Sequence, residues 1–111
     1  MKFGRWYPLA EVALHAPAGP GVFQIRSAEQ LFDYPRGKSA MLHYEAARDV
    51  RAAAIAFASD YPSRAWLCRH TIEMTEADAA SSDTFAAHLV RDFVTRFGQP
   101  PTKPSAAPVR S

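Results

Sequence analysis

Phe85, Leu89, Phe93 and Phe97 fall at i, i+4, i+8 and i+12 near the end of the chain. That spacing keeps all four on one side of an α-helix, and Val90 and Val94 widen the stripe. Asp83 or Ser82 stands where a side-chain oxygen can accept a backbone N–H and start the helix. Asp92 and Arg96 form an i,i+4 pair with the acid on the N-terminal side. Gly98 supplies the stop, and Pro100-Pro101 forbid continuation. A helix with one apolar face has to bury that face against another layer, so the remaining segments must supply one.

Those segments read mostly as strands. Gly21 to Ser27 alternates Val22, Gln24 and Arg26 against Phe23 and Ile25, the period of a β-strand. Leu31 to Tyr34 and Met41 to Tyr44 are shorter strand candidates, separated by the turn Pro35-Arg36-Gly37-Lys38. Arg64 to Met74 is a further strand. Glu45 to Ser59 is rich in Ala, the strongest helix former, and predicts a second main helix with Val50, Ala54, Phe57 and Ala58 inward. Before them, residues 1–20 carry Phe3, Trp6 and Tyr7, a short helix over Pro8 to His15 opened by its proline, and a loop at Ala16 to Gly21. After the last helix, Pro101 to Ser111 holds three Pro and two Ser and is expected to be a disordered tail.

Length and composition narrow the function classes. A chain of 111 residues suits one domain, and 48% hydrophobic residues is a globular composition. No stretch reaches the ~18 consecutive apolar residues of a membrane span. No signal peptide is evident, because Pro8, Glu11 and His15 interrupt the N-terminal apolar residues. Cys68 is the single cysteine, so no internal disulfide forms, and a reducing, cytoplasmic setting is expected. Of thirteen basic residues, Lys103 and Arg110 lie in the tail, leaving eleven to balance eleven acids in the body. A neutral body has no long-range steering of polyanions and must bind them, if at all, through a local patch.

Three segments together resemble the GIY-YIG nuclease domain. Gly21-Val22-Phe23, after a Pro-rich loop, is similar to the opening GIY strand. Leu42 to Val50 (LHYEAARDV) is similar to the second motif running into the first helix, with Ala47, Asp49, Val50 and Arg51 matching the pattern YIG-x-A-x-D-L-R. Phe93 to Pro101 (FVTRFGQPP) resembles the closing helix and its exit. The resemblance spans residues 21–101 with the elements in order. The two motifs stand further apart than is usual, and the extra residues within Ser27 to Ala40 are expected to form an inserted hairpin.

The resemblance implies a phenol near the scissile phosphate, a helix arginine that stabilises phosphoryl charge, and a glutamate that holds a divalent metal. The first tyrosine falls on Phe23, which has no hydroxyl. The second falls on His43, with Tyr44 beside it, and the glycine falls on Glu45. The helix arginine falls on Ala53, with Arg51 two positions away. The metal glutamate falls near Val90, and Phe85 to Gly98 contains no Glu and only Asp92 as an acid. Each lost electrostatic group is worth about 2.7–4 kcal/mol in comparable enzymes. The ordinary nuclease mechanism is therefore not expected, and no cofactor is.

Other constellations favour plain structural roles. His15, His43, His70 and His88 have no His or Cys partner at i+3 or i+4, and Cys68-Arg69-His70 lacks the second pair of a zinc site. Cys68 within a strand is expected to pack rather than react. Glu73, Glu76, Asp78 and Asp83 suit a solvated loop and helix start, with Thr75 and Asp78 at capping-box spacing. Arg36, Lys38, Arg48, Arg51, Arg64 and Arg69 give the middle of the chain a local basic excess, with Tyr34, Tyr44 and Tyr61 nearby.

The sequence thus predicts an α/β (α+β) domain: a small, mostly antiparallel sheet flanked by two main helices, GIY-YIG-like over 21–100. The leading functional expectation is a non-catalytic or weakly active domain that binds nucleic acid (DNA or RNA) or a protein partner through Arg36, Lys38, Arg48 and Arg51. One alternative is a divergent metal-dependent nuclease using His43 and Tyr44, with Mg²⁺ as cofactor. The other is a protein-interaction module with no nucleic-acid role, docking through the tail or an exposed Phe3-Trp6-Tyr7 cluster.

Overall fold

The alternation in Gly21–Ser27 marks the strand around which the protein is built. In the computed structural model, which describes residues 1–102, that strand (β3, Gly21–Ser27) lies between β6 (Met41–Ala47) and β7 (Trp66–Ile72), antiparallel to both. Two short N-terminal strands, β1 (Lys2–Phe3) and β2 (Tyr7–Pro8), add antiparallel to the outer edge of β7. The hairpin β4 (Phe32–Tyr34) and β5 (Gly37–Ser39) stands apart as a small ribbon, with Tyr34 opposite Gly37 across a two-residue turn. The hairpin expected within Ser27 to Ala40 forms there. The result is an α+β domain on a small antiparallel sheet.

Side chains directly opposed across a ladder share a face. Phe23 stands between Glu45 and His70, and Ile25 between His43 and Cys68. Gln24, on the other face, stands between Tyr44 and Arg69. The first face is covered by a 3₁₀ turn (Leu9–Glu11), α1 (Val12–His15) and α2 (Val50–Asp60). Its core is Leu9, Val12, Phe23, Ile25, Val50, Ala54 and Phe57, all buried. Across the other face runs α4 (Ser82–Phe97), preceded by α3 (Glu76–Ala80), and α4 packs mainly on β6 and β3. Phe93 anchors it, 5.0 Å from the Tyr34 ring and 6.0 Å from Tyr44, and Phe85 meets Phe3 at 5.9 Å.

Several boundaries differ from the sequence expectation, each for a local reason. The helix expected over Glu45–Ser59 begins only at Val50. Glu45, Ala46 and Ala47 instead pair with Phe23, Val22 and Gly21, because ladder bonds with β3 outweigh alanine's modest helix propensity. Asp49 caps the shortened helix by accepting from the Ala52 N–H at 2.9 Å. The strand expected over Arg64–Met74 is trimmed to Trp66–Ile72. Neither Ser82 nor Asp83 caps α4: Ser81 is the N-cap and makes no side-chain cap bond, and the buried Ser82 donates its hydroxyl to the Asp78 carbonyl. The capping box at Thr75 and Asp78 forms in full, at the start of α3. The short helix expected over Pro8–His15 splits into the 3₁₀ turn and α1. From residue 103 onward, the expected tail lies outside the described residues.

Gly98 ends α4 as expected, in the left-handed region at φ +93°, with its N–H donating to the Val94 carbonyl at 2.8 Å. A Cβ at that position would stand 2.8 Å from the Pro35 Cβ. Gly98→Ala is therefore expected to destabilise the fold by about 1–3 kcal/mol through backbone strain and displacement of the hairpin turn. Urea unfolding with an unchanged midpoint would contradict this.

Candidate anion-binding face

Between Phe3 and Tyr7 the N-terminal segment leaves the ladder and places Trp6 over the sheet. The Arg26 guanidinium carbon lies 4.3 Å from the Trp6 ring centroid, and that of Arg69 lies 4.6 Å from it. Arg69 is also 4.7 Å from the centre of the Phe3 ring. The two arginines come from adjacent strands, β3 and β7, on the face that also carries Gln24 and Tyr44. Because α4 packs mainly on β6 and β3, the β7 side of this face falls to Trp6, Phe3 and the arginines.

The charge there is unbalanced. Arg69 donates from Nε to the Gln24 Oε1 at 2.7 Å, a neutral acceptor. Among the described residues the salt bridges join Lys2 to Glu73, His15 to Glu11, Lys38 to Asp33 and His43 to Glu45, and none involves Arg26 or Arg69. The Arg26 Nε is buried with no hydrogen-bond partner there. Burial lowers the pKa of Arg69, and the neighbouring Arg26 charge lowers it further. Each ring–guanidinium contact offsets about 0.5–2 kcal/mol of this cost, but aromatic rings cannot satisfy N–H donors the way an anion's oxygens do. Burial raises the pKa of the Tyr44 phenol and keeps it protonated, so Tyr44 adds no negative charge.

The bases nominated by the sequence are otherwise engaged. Arg36 donates from Nη2 to the carbonyls of Val94 and Thr95 at 3.0 and 2.9 Å, closing the C-terminal turn of α4. Lys38 pairs with Asp33 across the hairpin at 3.4 Å. Arg51 donates from Nε to the Ala16 carbonyl at 2.8 Å and holds the Pro-rich loop against α2. Arg48 alone is exposed without such a bond. Arg36 and Arg51 thus bond the backbone and Lys38 keeps an exposed pair with Asp33, each at a different place on the fold.

His43 and Tyr44 are not brought together. Adjacent in β6, they point to opposite faces. His43 Nε2 lies 2.7 Å from the Glu45 Oε1, and its ring stacks on Phe57 at 5.0 Å. Tyr44 stands against Phe93 on the other side. Of the positions that fall on lost family residues, Phe23 is wholly buried, while Ala53 and Val90 are half-buried in the two packing helices. Asp92 is exposed on the outer side of α4. Among the described residues no three His, Cys, Asp or Glu side chains gather into a group that could hold a metal ion.

Beneath Trp6 the chain is fixed by its neighbour. The Tyr7 hydroxyl, whose pKa is raised by burial and then by Cys68, shares a buried hydrogen bond of 2.7 Å with the His70 Nδ1. The Cys68 thiol is buried and pushed up to about 11 by burial, so it packs and does not react.

Sequence reasoning missed Arg26 as a site residue and counted Arg69 only within a diffuse basic excess. The period-2 pattern already put Arg26 beside Gln24, but only the pairing of β3 with β7 brings Arg69 and Trp6 to it. No protein-family model matches the chain, and no curated protein is measurably similar to it. Among the described residues no helix is long and apolar enough to cross a membrane.

His70 carries a pH dependence. Burial, then the nearby His15, lowers its pKa below the ordinary 6.5. Between its folded value and 6.5 the unfolded chain binds a proton that the folded chain does not. This contribution to stability is therefore complete above about pH 6.5 and is lost as the pH falls through that window. Urea midpoints should drop between about pH 7.5 and pH 5.5, and drop less in His70→Gln. Identical pH slopes in the two proteins would contradict the assignment.

Proposed function

We propose that this chain is a GIY-YIG-like domain that binds nucleic acid without cutting it, and that it holds phosphate at Arg26 and Arg69. The observation that carries this reading is a pair of guanidiniums over one indole ring, with no carboxylate among the described residues paired to either. Charges left unpaired on a sheet face cost stability, and such departures from local optimisation concentrate at functional sites. Phosphate oxygens would supply the acceptors that Arg26 and Arg69 lack. The separation of His43 from Tyr44, which point to opposite faces of β6, supports binding without cleavage. A single buried thiol fits a reducing compartment such as the cytoplasm.

Fluorescence anisotropy against DNA and RNA, with Mg²⁺ and varied salt, tests this reading. Two neutralised phosphates give a slope of log K against log salt of about −1.4 on single strands or −1.8 on B-form duplex. Arg26→Gln/Arg69→Gln should abolish the binding, and the labelled strands should stay intact on a denaturing gel. Cleavage by the wild-type protein would revive the nuclease built on His43 and Tyr44. No binding even at low salt would sink the nucleic-acid reading and leave a protein partner as the ligand.

A further inference from the structure

Resting on that reading, we infer that the nucleic acid taken at this face is single-stranded, with a phosphate on Arg26 and Arg69 and an unpaired base against the Trp6 and arginine planes. The number of available cations argues for it. A non-specific duplex binder gains its affinity by neutralising many phosphates. Arg26 and Arg69, the two guanidiniums that share the Trp6 ring, offer about two phosphate contacts. Two contacts leave a duplex weakly held. A single strand gains a second source of affinity, because every unpaired base presents a π-face to an aromatic ring or a guanidinium plane.

The surroundings of the site argue the same way. The arginines project from the sheet itself, on β3 and β7, and α4 stands on the same face beside them. A helix with its side chains is about 10–12 Å across, so a stiff duplex laid over this face meets α4 before its phosphates reach the sheet. A flexible strand can thread the floor beside the helix. Trp6 and Phe3 are both half-buried. Trp6 contacts both arginines, which places stacking surface and phosphate donors within one nucleotide of each other.

The test uses the unaltered protein and three ligands of equal length: an oligothymidylate, an abasic single strand and a duplex. Anisotropy and quenching of tryptophan fluorescence are followed together. The oligothymidylate should bind tightest and quench, and loss of the bases should weaken binding by about 5-fold or more, the value of at least one base–aromatic stack. The duplex should also bind more weakly than the oligothymidylate. An abasic strand that binds as well as the oligothymidylate, or a duplex that binds as well or better, overturns the single-strand inference while leaving phosphate binding intact. If none of the three binds at low salt, the phosphate-binding reading itself has failed.

Discussion

The register of β3 against its two neighbours decides what each face of the sheet can do. With Ile25 between His43 and Cys68, the first face collects the apolar side chains that pack against α2 and the N-terminal turn, with the His43–Glu45 pair on it. With Gln24 between Tyr44 and Arg69, the second face collects polar ones, and Arg26 extends the row. A slip of β3 by one residue would turn Arg26 to the first face, under α2, and part it from Arg69. Apolar burial on the first face, with Phe23 and Ile25 wholly buried, fixes the register and so also fixes where the two guanidiniums meet.

The same strand pairing ties the two faces to one another. Tyr7 binds His70 beneath the sheet, and the next residue back along the chain is Trp6, which lies over Arg26 and Arg69 above it. The N-terminal segment therefore serves two purposes. It extends the edge of β7, and it furnishes the only aromatic ring among the described residues that contacts both arginines. The domain keeps this pair together by cation–π contact and one amide hydrogen bond, without a carboxylate. A carboxylate would be the cheaper solution for stability alone, and it would also occupy the seat that an anionic ligand needs.

Long amphipathic patterns and turn chemistry were legible in the sequence. The stripe from Phe85 to Phe97, the stop at Gly98, the alternating strand at Gly21–Ser27 and the hairpin turn at Pro35-Arg36 all appear where residue spacing places them. The Ala-rich start of the second helix did not, because pairing with Gly21–Phe23 is non-local and a propensity argument cannot include it. The same limit governed the site. Arg36, Lys38 and Arg51 look like a basic cluster along the chain, yet each answers a nearby carbonyl or carboxylate once the chain is folded. Trp6, Arg26 and Arg69 are dispersed in sequence and become neighbours only through the β2–β7 and β3–β7 ladders.

The central claim is that Arg26 and Arg69 form a seat for a phosphate-type anion, and the most direct measurement is the thermal midpoint of the protein titrated with tripolyphosphate at constant ionic strength. A ligand that binds only the folded state stabilises it by about 2.7 kcal/mol at a hundred times its dissociation constant. The account predicts a midpoint that rises steadily with anion concentration in the wild type and stays flat in Arg69→Gln. A flat wild-type titration, or an equal rise in Arg69→Gln, would contradict it.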